Sequence, residues 1–154
     1  MTIDEARNPG DIETARLLFR AYADSLPFSL DFQNFAGELA GLPAPYTAPA
    51  GCLLLAREEG VAIGVVALKP LASRIAEIKR LYVVPEARRA GIGRILAERA
   101  EAEAQARGYE RVRLDTHRPS MSAAIALYRR LGFVEIPPYG PDLGGEIAFF
   151  EKHL

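Results

Sequence analysis

Between Glu77 and Arg94 the chain passes from a strand pattern through a glycine-bearing turn into a helix pattern, and this succession limits the folds open to it. The strand residues Ile78, Leu81, Tyr82, Val83 and Val84 run up to Pro85, which has no N–H with which to continue a ladder. After Gly91 and Gly93 the helical spacing of Ile92, Ile95, Leu96 and Ala100 takes over. The first turn of such a helix leaves backbone N–H groups unpaired, and its dipole favours negative charge. Glycines let an anion come close to those groups. A pyrophosphate suits the turn, with Arg88, Arg89 and Arg94 placing positive charge around it; each arginine also reads as an ordinary surface residue. The bare G-x-G says little, since about one is expected by chance among 13 glycines. Its position between strand and helix carries the reading.

Two common nucleotide-binding patterns do not fit. Leu96 stands where G-x-G-x-x-G needs its third glycine, and the segment follows three strands instead of opening the chain. The P-loop pattern G-x-x-x-x-G-K-[ST] is absent.

The rest of the chain supplies the surrounding elements. Ile12, Ala15, Leu18, Phe19 and Tyr22 predict a helix over 11–26 with Gly10-Asp11 as its start. Phe32, Phe35, Ala36 and Leu39 predict a second, with Asp31 as N-cap and Gly41 as stop. The three prolines Pro43, Pro45 and Pro49 predict an ordered extended loop. Strands are expected over 52–57, 62–68 and 75–84, the first two joined by a hairpin at Glu58-Glu59-Gly60. A long helix then ends at Gly108, and a strand ends at Asp115-Thr116. A helix capped by Ser120 and stopped by Gly132 follows, then strands over 133–136 and 147–150. The predicted order is ααβββαβαββ, an α/β fold of the mixed-sheet α+β kind.

Composition narrows the chemistry. The 154 residues suit one domain spanning 1–154, and 49% hydrophobic with 25% charged content is ordinary for a globular protein. No apolar run reaches the roughly 20 residues of a membrane helix, and the acidic N-terminus does not resemble a signal peptide. No membrane association and a cytoplasmic location are expected. A net charge of −1 gives no basic face for nucleic acid, and none is expected as a partner. Cys52 lies in an apolar run and reads as a buried strand thiol. His117 and His153 are far apart, with no metal-ligand spacing, so no metal is expected.

The residues Leu81-x-Val83-x-Pro85-Glu86-x-Arg88-x-x-Gly91-Ile92-Gly93 resemble motif A of the GCN5-related N-acetyltransferases. Ala124-x-x-Leu127-Tyr128-x-x-x-Gly132-Phe133 resembles their motif B, and the element order is similar along nearly the whole chain. The resemblance implies an acetyl-CoA co-substrate in a cleft where two central strands splay apart. Leu81, Tyr82 and Val83 would meet the pantetheine arm, and Arg88, Arg89, Ala90, Gly91, Ile92, Gly93 and Arg94 the pyrophosphate. Met121 stands where many members carry an asparagine that contacts the cofactor.

The family also suggests catalytic residues. The backbone N–H of Val83 would polarise the thioester carbonyl. Tyr128 is placed like the tyrosine that protonates the leaving sulfur; a core aromatic is the other reading of the same residue. Glu77 is placed like the base of the superfamily's histone acetyltransferases; a strand-end carboxylate paired with Lys79 or Arg74 is its other reading. Asp115 is a further candidate base. The segment 26–50, with Phe28, Phe32, Phe35 and Tyr46, would roof the acceptor pocket, and Tyr139 would close its other side. The implied acceptor is a small-molecule or peptide amine. Oligomeric state stays open, a homodimer included. So does a non-catalytic acyl-CoA-binding or sensory module, and, outside this family, a nucleotide-binding interaction protein.

Overall fold

The computed structural model describes the backbone of residues 1–154 and every side chain except those of Arg89 and Ala90. Strand β1 (Thr2–Glu5) precedes helix α1 (Pro9–Asp24) and helix α2 (Phe35–Gly41). Strands β2 (Cys52–Glu58), β3 (Val61–Ala72) and β4 (Ile75–Val83) lead to helix α3 (Ile92–Ala106). Strand β5 (Arg111–His117), helix α4 (Ser122–Arg130) and strands β6 (Val134–Ile136) and β7 (Ile147–His153) complete the chain. One mixed sheet runs in the order β1-β2-β3-β4-β5-β7-β6, with β4 and β5 its parallel pair. No helix is long and apolar enough to cross a membrane among the described residues.

The near-continuous apolar run in β2 follows from burial on both faces. Leu54 and Ala56 join Leu96, Ala100 and Ala104 of α3 in one core cluster, while Leu53 and Leu55 join Ile12, Ala15, Leu18 and Phe19 of α1 in another. Alternate side chains of one strand therefore meet opposite helical layers. Cys52 is buried, and burial raises its thiol pKa to about 11, so it packs as a hydrophobe.

Several boundaries differ from the sequence reading. β1 was not expected: its four residues are half-exposed edge residues, too few to show a period. Helix α1 begins two residues early because Asn8 accepts the Asp11 N–H at 2.8 Å, displacing Gly10-Asp11 as the start. Asp31 caps no α-helix. A 3₁₀ turn covers Asp31–Gln33, and Asn34 at φ 53° breaks it from α2. The proline segment is a series of turns instead of an extended loop, docked by buried Leu42 and Tyr46. Ser120 does not cap α4, whose N-cap is Met121 without a side-chain capping bond; the Ser120 hydroxyl lies 2.7 Å from His117 Nδ1.

Candidate functional site

Strands β4 and β5 pair only at Ile75↔Arg111, Ala76↔Val112 and Glu77↔Arg113. Beyond Glu77 and Arg113 they part, and a cavity of about 410 Å³ opens between Leu81, Tyr82 and Val83 on one side and Leu114, Asp115, Thr116 and α4 on the other. The Val84 N–H donates to Ile63 on β3 at 2.9 Å, so by strand alternation the Val83 N–H faces the opened side.

The strand carries a bulge here. Val65 pairs with Tyr82 and Ala67 with Lys79, so two residues, Arg80 and Leu81, lie opposite Val66 alone. Arg80 adopts φ 60°, a left-handed conformation uncommon for a side chain of this size. The extra residue reverses the alternation. Ile78 packs toward α3 and Tyr82 toward α1, although an even spacing would put them on one face.

At the far end of β4 the turn Pro85–Ala90 leads to α3, whose N-cap Gly91 sits at φ 70°. Among the described residues no side chain caps α3, and no acidic residue occupies its first turn. A Cβ on Gly93 would meet only Val83 Cγ2, at 3.8 Å, so the approach is open. Arg88 lines the cavity, donating from Nε to the Val83 carbonyl at 2.9 Å with its guanidinium 5.5 Å from the Tyr82 ring centroid. Ile92 is buried in the core, whereas Arg94 is exposed and paired with Glu98 at 2.6 Å. The Arg89 and Ala90 side chains lie outside the described residues.

Tyr128 lines the same cavity from α4, its ring 5.7 Å from that of Phe133. Its hydroxyl has no protein partner among the described residues. Burial, then neighbouring Tyr22 and Asp115, hold its pKa above the ordinary tyrosine value. Tyr128 thus packs in the core, as one of its two readings has it, and also borders the cavity.

A second cavity, of about 650 Å³, adjoins the first and shares Lys79, Arg80 and Asp115 with it. Phe32, Tyr46 and Tyr139 line it, whereas Phe35 lies against Arg80 at 5.2 Å and Phe28 against His117 at 4.4 Å. Glu77 is buried in its wall. The carboxylate accepts the Tyr139 hydroxyl at 2.6 Å and lies 3.6 Å from Lys69 Nζ. The partners anticipated for Glu77 are engaged elsewhere, Arg74 with Glu110 and Lys79 with Asp115. Burial first, and then the charge of Glu77, push the Tyr139 pKa well up, so its phenol stays protonated.

The sequence reading missed Arg80 and Glu38. The Arg80 guanidinium makes bonds of 2.9 and 2.7 Å to the two Glu38 oxygens and one of 2.9 Å to Gln33. Burial opposes its charge, yet Glu38 holds its pKa above the usual arginine value. This pair ties α2 to the bulge where the cavities meet. Its one sequence signal is the doubled charge Lys79-Arg80 inside a strand.

The profile of the acetyltransferase (GNAT) family matches residues 15–133, from α1 to the end of the α4 turn. The chain belongs to the GNAT acetyltransferase family. An uncharacterized N-acetyltransferase of Schizosaccharomyces pombe is 34% identical over 141 residues, covering 90% of this chain and 86% of that protein. A GNAT acetyltransferase of Staphylococcus aureus superposes with a TM-score of 0.82 at 20% identity, covering 99% of this chain and 98% of its own. The PaiA N-acetyltransferase of Thermoplasma acidophilum, solved in complex with coenzyme A, superposes with a TM-score of 0.69 at 23% identity over the whole of both chains. The mixed sheet with its parted central strands is thus the GNAT fold. Among the described residues no group of three His, Cys, Asp or Glu side chains is placed to hold a metal ion.

Proposed function

We propose that the chain, as a single N-acetyltransferase domain over 1–154, moves an acetyl group from acetyl-CoA directly to a primary amine. The observation that carries this reading is the junction at Lys79, Arg80 and Asp115, where the cavity opened by the parting strands meets the one containing Glu77. A thioester in the first cavity and an amine in the second would meet there without a covalent enzyme intermediate.

The pyrophosphate would lie on the uncapped first turn of α3, over Gly91 and Gly93, with Arg88 beside it. The pantetheine arm would run along Leu81–Val83 in the place β5 vacates. The Val83 N–H faces the same opening and would donate to the thioester oxygen as negative charge develops there. Glu77 would accept the proton the amine gives up, directly or through water, while the Tyr139 hydroxyl holds its carboxylate in position. The C–N bond forms, the C–S bond breaks, and the thiolate takes its proton from Tyr128. A free thiol has a pKa of about 8.5, below that of this phenol, so Tyr128 would first act as hydrogen-bond donor and complete the transfer as the thiol departs.

The test is release of free thiol from acetyl-CoA across a panel of primary amines. Turnover on at least one amine is expected. Coenzyme A binding with no release on any amine would favour the acyl-CoA-binding module instead. Glu77→Gln is expected to lower kcat most at low pH, where the amine is most protonated, with little change in acetyl-CoA affinity.

A further inference from the structure

The acceptor cavity holds ion pairs of two kinds. Arg80 and Glu38 make two short bonds and are almost fully enclosed. The other two pairs are loose: Lys69 Nζ lies 3.6 Å from Glu77, and Lys79 Nζ lies 3.5 Å from Asp115. The sheet register explains their placement. Lys69, Glu77, Arg113 and Glu151 are successive cross-strand partners, a row alternating in charge across four strands. The next row reads Ala67, Lys79, then Asp115 and Phe149. Lys79 and Asp115 are thus the first charged residues past the last β4–β5 pairing, facing each other across the opening.

Lys79 is the unusual member. Its side chain is 10% exposed, yet its ammonium makes only two long contacts among the described residues, to Asp115 and to Gln33 at 3.3 Å. An ammonium has three donors, and a buried one is stable only when they are well used. Asp115, with two oxygens, has Lys79 as its one partner among the described residues. An occupant carrying both charges would improve both pairs: its carboxylate would take the unused donor of Lys79, and its nitrogen would meet Asp115 and Glu77.

Building on the acetyltransferase reading, we propose that the acceptor is an amino acid, an amine bearing its own carboxylate, and that Lys79 binds that carboxylate. A peptide N-terminus or a simple amine lacks the adjacent carboxylate and would leave Lys79 as it is. Arg80 is excluded as the anchor because Glu38 and Gln33 already engage its guanidinium.

Matched acceptor sets test this, each comprising a free amino acid, its carboxamide and its decarboxylated amine, over several side chains with acetyl-CoA held constant. The acid is expected to exceed its carboxamide in kcat/KM by at least roughly tenfold, the worth of one hydrogen bond between charged groups. In Lys79→Met, and in Lys79→Gln should Met impair folding, that ratio is expected to fall toward one. Equal rates for acid and carboxamide in the wild type, or a ratio unchanged in both variants, would overturn the proposal while leaving the acetyltransferase intact. Calorimetry on the coenzyme A-saturated protein reads the same preference without turnover. Acid binding more tightly than carboxamide, with the difference lost on replacing Lys79, supports the proposal even if no thiol is released. Equal binding overturns it.

Discussion

The two walls of the cleft are built in different ways. On the proposed cofactor side, Leu81 to Gly93 is one continuous segment whose useful groups are mostly backbone: the Val83 amide turned to the opening, and the first turn of α3 over two glycines. On the acceptor side, Glu38, Lys69, Glu77, Asp115 and Tyr139 come from five separate segments and act through side chains that must find one another. A backbone wall is sensitive to an added Cβ and indifferent to a lost charge, whereas a side-chain wall has the opposite weaknesses. Arg88 and Tyr128 cross the division, side chains that line the cavity on the proposed cofactor side.

The Tyr128 exception carries the largest expected effect. Tyr128→Phe removes the hydroxyl and keeps the ring against Phe133, so kcat is expected to fall by roughly 10² to 10⁴ with acetyl-CoA affinity and Tm little changed. A near wild-type kcat, with chemistry shown to be rate-limiting, would return Tyr128 to the core and leave Arg88 as the side chain on that wall.

On the acceptor side, Glu38→Ala strands the Arg80 charge, whose side chain is 3% exposed. A stability loss of about 3 kcal/mol is expected, seen as a Tm lowered by roughly 6–12 °C. A smaller loss in Arg80→Met/Glu38→Met would attribute the cost to the unpaired charge. A negligible loss in Glu38→Ala would mean that the roof is not held by this pair.

For the backbone wall the clean variant is Gly93→Val. Gly91 at φ 70° would be strained by any side chain, whereas Gly93 has room for a Cβ in the free protein. Acetyl-CoA affinity is expected to drop about tenfold or more, one good hydrogen-bonded contact or its equivalent, with Tm held. Unchanged binding in calorimetry would remove the pyrophosphate from this turn.

The smallest effect spans both walls. Burial raises the pKa of Tyr22 to about 12, and raises those of Tyr128 and Tyr139 as well. A tyrosine whose folded pKa exceeds its unfolded value, about 10, contributes its full stability below pH 10 and loses it as pH climbs toward the folded value. Urea midpoints are therefore expected to be flat from these groups below pH 10 and to decline above it, with Tyr139→Phe declining less steeply. An equal decline would show that Tyr139 is not buried against Glu77.

The strand, turn and helix from Leu81 onward were legible because their signals are local. Pro85, Gly91, Gly93 and the spacing of Ile92, Leu96 and Ala100 report strand end, turn and helix within one stretch, and the anion binding proposed there would need only free amides. Two β-rich runs around Glu59-Gly60, whose residues both have positive φ, gave the β2–β3 hairpin for the same reason. The edge strand β1 escaped because four residues paired to Leu54–Arg57 carry no period of their own. Ser120 looked like a cap by residue type, but the β5 end placed His117 beside it.

What the sequence determined by itself is the succession of elements from α1 onward, with its strand, turn and helix around Gly91 and Gly93, since hydrophobic period, proline and glycine act over a few neighbouring residues. What only the tertiary structure decided is the bulge at Arg80, the pairing of Glu77 with Tyr139 62 positions away, and the meeting of Lys79 with Asp115 across the parted strands. One inserted residue reverses every side chain beyond it, and a charge has no preferred partner until the sheet register brings one within reach.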